Sequence, residues 1–180
     1  AAGRVYVGWR QVLPGELRHI SVASSADGGE TFSEAVSVSD DRWTISSCPV
    51  SGPALGVDAE GALQVAWYTE GEAGPEGLYQ SASRDGGRTF APRRALAAGT
   101  VTGSPSLTKD ARGRYVAVWQ GGSGAEMRLM SAPLGGDEAA QTASTLGSGQ
   151  LPSAAVSGER LFVLYLASAE SPRGVWLRRG

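Results

Sequence analysis

Residues 24–36, SSADGGETFSEAV, and residues 82–96, ASRDGGRTFAPRRAL, are the two stretches that decide the fold. Ser25, Asp27, Gly29, Thr31 and Phe32 of the first align with Ser83, Asp85, Gly87, Thr89 and Phe90 of the second, an offset of 58 residues. Both read S-x-D-x-G-x-T-F, a spacing that suits a tight turn between antiparallel strands. An aspartate side chain accepts hydrogen bonds from backbone N–H groups two or more residues ahead. The glycine supplies positive φ without steric cost, and the Ser and Thr hydroxyls satisfy the remaining turn groups. Each phenylalanine then opens the next strand and is expected to pack inward, pinning the turn to its sheet.

A second series recurs around these turns. Alternating runs end in an aromatic residue at Trp9, Trp67, Trp119 and Tyr165. A proline precedes three of them at nearly fixed distance: Pro53 before Trp67, Pro105 before Trp119 and Pro152 before Tyr165. Hairpin signals fall between, at Asp58-Ala59-Glu60-Gly61, Asp110-Ala111-Arg112-Gly113 and Ser157-Gly158. The pattern predicts strands at residues 4–10, 17–24 and 35–39; 53–57, 62–69, 77–83 and 93–97; 104–109, 114–120, 126–132 and 141–146; and 151–156, 160–167 and 174–178. Helical periodicity is sustained nowhere.

Units of this length suit an all-β propeller of four-stranded antiparallel blades. A two-sheet sandwich would not repeat with this period. Blade one spans residues 1–42 and lacks its inner strand. Blade two spans 43–99 and blade three 100–148. Blade four spans 149–180 and lacks its outer strand. Three and a half blades do not close a ring, so the expected parent is larger, with six blades the expected count. Open sheets at both ends expose strand edges and apolar surface, so self-association is expected.

Composition narrows the function classes. The 180 residues include 26 glycines, 9 prolines and a net charge of −2. With no basic block, nucleic acid is not an expected partner. No apolar run approaches 18 residues, so no helical membrane span is expected. Lys109 is the only lysine against fifteen arginines, and asparagine is absent, a bias that fits a GC-rich bacterial coding sequence. His19 is the only histidine and Cys48 the only cysteine. His/Cys metal clusters are thereby excluded by count, and neither metal nor cofactor is expected. His19 reads as structural. Cys48 reads equally as a small buried residue or as half of a disulfide with a partner upstream.

The paired S-x-D-x-G-x-T-F turns resemble the BNR/Asp-box repeats of sialidases and related propellers. The resemblance extends over most of the chain, counting the degenerate third unit, where Pro133 and Gly135 stand in place of serine and aspartate. Residues 40–58, DDRWTISSCPVSGPALGVD, also resemble a segment of bacterial sialidase-like proteins of undefined activity. The resemblance implies structural box residues on the face opposite any active site, and a secreted or periplasmic address. It also implies three arginines near the inner strands, a tyrosine paired with a glutamate, and an aspartate acid/base. The inner strands here begin Gly52-Pro53, Ser104-Pro105 and Leu151-Pro152, without arginine, so that constellation cannot be assembled from this chain alone.

If the box turns lie on the bottom face, the opposite connections form the top face, where propellers usually bind ligands. Arg10, Arg42, Trp43, Tyr68 and Gln120 are the expected ligand-binding residues there. Asp41 and Glu70 are the expected catalytic pair, since paired carboxylates serve glycoside hydrolysis. Arginine grips carboxylates through parallel hydrogen bonds, and an aromatic ring covers the apolar face of a sugar. The expected function is glycan binding, with glycoside hydrolysis where the carboxylates are competent. The alternatives are a non-catalytic scaffold for protein assembly, or an inactive fragment.

Overall fold

A computed structural model describes residues 3–47, 51–110, 112–122, 126–135, 143–158, 160–166 and, as backbone, 175–179. Fourteen strands lie within them. The first sheet holds β1 (Val5–Leu13), β2 (Leu17–Ser25) and β3 (Val36–Thr44). The second holds β4 (Ala54–Val57), β5 (Leu63–Thr69), β6 (Gly77–Ser83) and β7 (Arg94–Ala98). The third holds β8 (Val101–Lys109), β9 (Tyr115–Gly121), β10 (Arg128–Pro133) and β11 (Ser144–Ser148). The fourth holds β12 (Gln150–Ser157), β13 (Arg160–Leu166) and β14 (Val175–Arg179). Strands follow chain order within every sheet and pair antiparallel throughout. These are successive blades of a β-propeller, the fold expected from the repeat. Cys48 lies outside the described residues.

Strict alternation along the second strand of each blade builds the inter-blade core. On β5, Leu63, Val65 and Trp67 pack against blade one, in a cluster with Ile20, Val22, Val38 and Tyr79. Ala66 and Tyr68 point the other way, into a cluster with Ala117 and Trp119 of blade three. On β9, Val118 turns towards Val163 of blade four. Trp67 and Trp119 are essentially inaccessible. Each fully buried aliphatic or aromatic chain contributes about 1.5–3 kcal/mol. Trp67, Trp119 and Tyr165 are therefore core residues first, each packed towards the preceding blade.

Both box turns form as the spacing predicts. Ser25 Oγ donates to Asp27 Oδ1 at 2.6 Å and accepts from Gly29 N at 2.8 Å. Thr31 N donates to Asp27 Oδ1 at 3.0 Å. In the second box Ser83 Oγ donates to Asp85 Oδ1 and accepts from Gly87 N, both at 2.8 Å, and Thr89 N reaches Asp85 at 2.9 Å. Gly29 and Gly87 take φ of 102° and 88°. These hydrogen bonds hold both carboxyls well below the usual carboxylate range.

Two expectations change. Phe90 packs into the core between blades one and two, but Phe32 does not pack inward and is 44% exposed. The two are equivalent and face the preceding blade; among the described residues no blade precedes blade one. The second change is at residues 40–44, expected in a top-face connection. They belong to β3, which resumes pairing beyond a bulge, with Arg18 opposite Trp43 and Ile20 opposite Ser39. Three residues of β3, Asp40, Asp41 and Arg42, thus oppose the single residue His19. Arg42 takes φ of 50° there. A bulge of this kind re-aims side chains, and here it turns Asp41 into the interior.

Candidate functional site

The bulge sits at the top of the interface between blades one and two, and polar side chains gather around it. Asp41 is at its base, with no accessible surface. Its carboxylate accepts from Trp67 Nε1 at 2.8 Å and from Ser39 Oγ at 2.7 Å, and pairs with Arg93. Arg93 in turn lies 4.3 Å from the centroid of the Tyr79 ring. The Asp41 carbonyl accepts from Ala73 N at 3.2 Å. This draws the connection between β5 and β6 onto the bulge. A Cβ on Gly71 would lie 2.0 Å from that carbonyl oxygen, so only glycine allows the approach.

Arg10 and Arg18 lie beside Asp41 on the face of the β1–β2 pair that meets blade two. The register sets Arg10 opposite Ile20 and Val12 opposite Arg18, which makes the two arginines diagonal neighbours within reach of long side chains. Arg10 Nε donates to the Ser51 carbonyl at 3.0 Å and Nη2 to the Tyr68 carbonyl at 2.6 Å. Its guanidinium stands 4.5 Å from the Trp43 ring centroid. Burial lowers its pKa from 12.5 to about 10; nearby Asp41 acts to raise it and Arg18 to lower it. At neutral pH the group is a cation.

Tyr68 closes the cluster. Its ring meets Trp43 edge-on with centroids 5.9 Å apart. Its hydroxyl lies 2.7 Å from Glu70 Oε1 and 2.8 Å from Glu76 Oε1. A phenol has one hydrogen to donate, so it serves one carboxylate at a time. Burial, then the two carboxylates, push the phenol pKa well above its ordinary value, and the group stays protonated. Glu70 and Glu76 are themselves exposed at the rim.

Of the residues expected at a site, Arg10, Asp41, Trp43, Tyr68 and Glu70 do come together. Their accessibility differs from the expectation. Trp43 and Tyr68 are buried, and Trp43 has one ring face under Arg10. Arg42 is exposed on the bulge. Gln120 is buried at the interface between blades three and four, where its Oε1 accepts from Leu151 N at 3.0 Å and its Nε2 donates to Met127 Sδ. Three members were not anticipated: Arg18, Arg93 and Glu76. Arg18 carried a readable signal, because a short turn at residues 14–16 pairs it on the same face as Arg10. His19 sits opposite the bulge, with Nε2 3.2 Å from Asp40 Oδ1.

Among the described residues no group of three or more His, Cys, Asp or Glu is arranged to hold a metal. No helix among them is long and apolar enough to cross a membrane. A separate cleft of about 690 Å³ opens between blades two and three, lined by residues including Leu96, Val101, Trp119, Arg128 and Met130. It lacks the convergent charges of the first cluster.

Neither a protein-family model nor a curated protein matches the sequence. Solved structures do match it in fold. A protein of unknown function from Dyadobacter fermentans superposes with a TM-score of 0.75 at 15% identity, over 98% of this chain and 50% of the other. An alpha-L-arabinanase from Penicillium chrysogenum, complexed with arabinobiose, gives 0.63 at 16% identity, over 98% and 56%. A leech intramolecular trans-sialidase complexed with 2,7-anhydro-Neu5Ac gives 0.60 at 12% identity, over 99% and 29%. At these identities the likeness establishes the propeller fold. The chain spans about half the length of the first two.

Proposed function

We propose that this chain contributes a saccharide-binding site at the top of blade two, on the β5–β6 connection where it meets blade one. The observation that carries the reading is the pair of rim carboxylates, Glu70 and Glu76, held on the Tyr68 hydroxyl at 2.7 and 2.8 Å. Each carboxylate has oxygen lone pairs left over, and vicinal sugar hydroxyls are donors of matching number. The arabinanase and the trans-sialidase of similar fold each have a sugar bound, and they support the same reading. The sialidase-like resemblance of the Asp-box turns agrees with it.

Hydrolysis is the finer part of the proposal. Carboxylates that work as a retaining pair stand roughly 5–5.5 Å apart with the reacting carbon between them. Here the phenol occupies the space between Glu70 and Glu76, a geometry that favours binding over bond cleavage. Asp41, expected as Glu70's catalytic partner, lies beneath them with its oxygens engaged by Trp67, Ser39 and Arg93. In this reading it is a positioning residue for the rim. Glycan-array and calorimetric binding, together with fluorogenic glycosides, test the proposal. Binding of neutral or acidic sugars that falls on changing Glu70→Gln or Glu76→Gln is expected. Silence on both assays with well-folded protein overturns it.

A second reading, an assembly scaffold, draws on a different observation. The outward face of blade one exposes Val5 and Val7, and that of blade four exposes Leu164 and Leu166. Further blades or another copy of the chain would cover them. Sedimentation across a hundredfold concentration range tests self-association, and a constant monomer mass refutes it.

A further inference from the structure

We propose that Arg10 and Arg18 form an oxyanion subsite, which takes the carboxylate or sulfate group of an anionic saccharide. The inference deepens the saccharide reading of the same site and rests on it for the identity of the ligand. Its observation is separate: Arg18 is only 6% exposed, yet its Nε and Nη1 are buried with no hydrogen-bond partner among the described residues. Arg10 Nη1 is in the same condition. Buried polar groups in folded proteins are nearly always paired, and a buried cation with idle donors is costly. Two such cations as diagonal neighbours on one face compound that cost through mutual repulsion.

The remaining polar groups of the cluster are already engaged. Arg10 Nε and Nη2 are taken up by the carbonyls of Ser51 and Tyr68. Arg18 Nη2 donates to Glu16 Oε2 at 2.8 Å, on the turn that joins β1 to β2. Asp41 is committed to Trp67, Ser39 and Arg93. Glu70 and Glu76 face the Tyr68 hydroxyl. No described carboxylate reaches the three idle nitrogens, and a ligand oxyanion supplies what they lack: negative charge and several acceptor lone pairs. Charge-assisted bonds of this kind are about twice as strong as neutral ones. The pair comes from a single hairpin of blade one, whereas the family resemblance implies arginines near inner strands, where this chain has none.

The test uses the full chain, with chloride holding ionic strength constant. Arginine Nε–Hε resonances of the unmodified protein are followed during titration with sodium acetate, inorganic phosphate, sulfate, glucose and glucuronic acid. A saturable shift of the Arg18 signal with an oxyanion, and glucuronic acid binding about tenfold or more tighter than glucose, are expected. Arg18→Gln should weaken glucuronic acid binding about tenfold, Arg18→Lys less, and the exposed Arg112→Gln not at all. Acetate responding without phosphate assigns a carboxylate; phosphate and sulfate responding without acetate assign a tetrahedral anion. No saturable shift with any oxyanion in the unmodified protein overturns the inference, whatever the variants do. Equal affinity for glucose and glucuronic acid also overturns it while leaving the saccharide reading standing. Acetate binding with no affinity for any sugar does the reverse.

Discussion

Replacing Asp41 with alanine should be among the most damaging single changes in this chain, although the residue sits among rim groups proposed for binding. Trp67 Nε1 would lose its acceptor at a position with no accessible surface. An orphaned buried donor costs about 1–3 kcal/mol. Arg93, whose side chain is 14% exposed, would lose its ion pair, and removing one partner of a buried pair costs about 3–5 kcal/mol. The two losses share one carboxylate and do not add fully. A net loss of about 4 kcal/mol is the expected result. For a chain of this size that is roughly an 8–16 °C fall in Tm. Asp41→Asn keeps an acceptor for Trp67 and gives up the ion pair, so about half the loss is expected. Urea unfolding followed by tryptophan fluorescence measures both, and an unchanged m-value keeps the comparison valid. If Asp41→Ala costs less than about 1 kcal/mol, the carboxylate is not the strut described here, and its role as a working group at the site regains force.

Further expectations follow from the same geometry. Gly71→Ala would place a Cβ 2.0 Å from the Asp41 carbonyl oxygen; sugar binding should fall at least tenfold, with slowed amide exchange at Ala73, whose N–H donates to that oxygen, lost, and retained protection would refute the contact. Phe90→Ala should cost about 2–3 kcal/mol, because Phe90 packs between blades, whereas Phe32→Ala should cost under about 1 kcal/mol; equal costs would show that the two boxes pack alike. Asp27 and Asp85 have folded pKa values depressed by their turn hydrogen bonds. Their contribution is therefore fully present above the unfolded value of about 3.9 and is lost as pH falls through the folded values. Asp85→Asn should flatten the acid side of the stability profile below about pH 4, and an unchanged slope there would contradict this. Tyr68→Phe leaves Glu70 and Glu76 without their shared hydroxyl; weaker sugar binding at unchanged stability is expected, and unchanged affinity would remove the phenol from the site.

The strands were legible because each depends on short-range signals: alternation, positive-φ glycines in turns, and an aromatic at the end of each second strand. The Asp-box turns were legible atom by atom, since every donor and acceptor lies within seven residues. The site was legible only in part. Residues 40–44 read as a polar connection because DDRWT carries two acids, an arginine and no aliphatic residue. The alternation of buried Asp41 and Trp43 with exposed Arg42 was present in the sequence, but a buried aspartate mimics a loop residue until its partners are known. Arg93 is such a partner, 52 residues away across a blade, and no local pattern announces it.

The repeat fixes a position and a direction while leaving the chemistry free. The residue after each recurrent aromatic is Arg10, Tyr68, Gln120 or Leu166. Arg10 reaches forward to the carbonyl of Ser51, just ahead of β4, and Gln120 reaches forward to the amide of Leu151 in β12. Tyr68 turns into the interface with blade three. Leu166, with no following blade among the described residues, is 40% exposed. What each forward-pointing chain meets depends on the connection between blades, and those connections do not repeat. Among the described residues only the first interface combines a cation at this position, a second one from the hairpin at Arg18, and a bulge that sends a carboxylate beneath both. Donors to spare are therefore confined to particular positions of a repetitive fold, because the non-repeating connections decide what each of the equivalent positions meets.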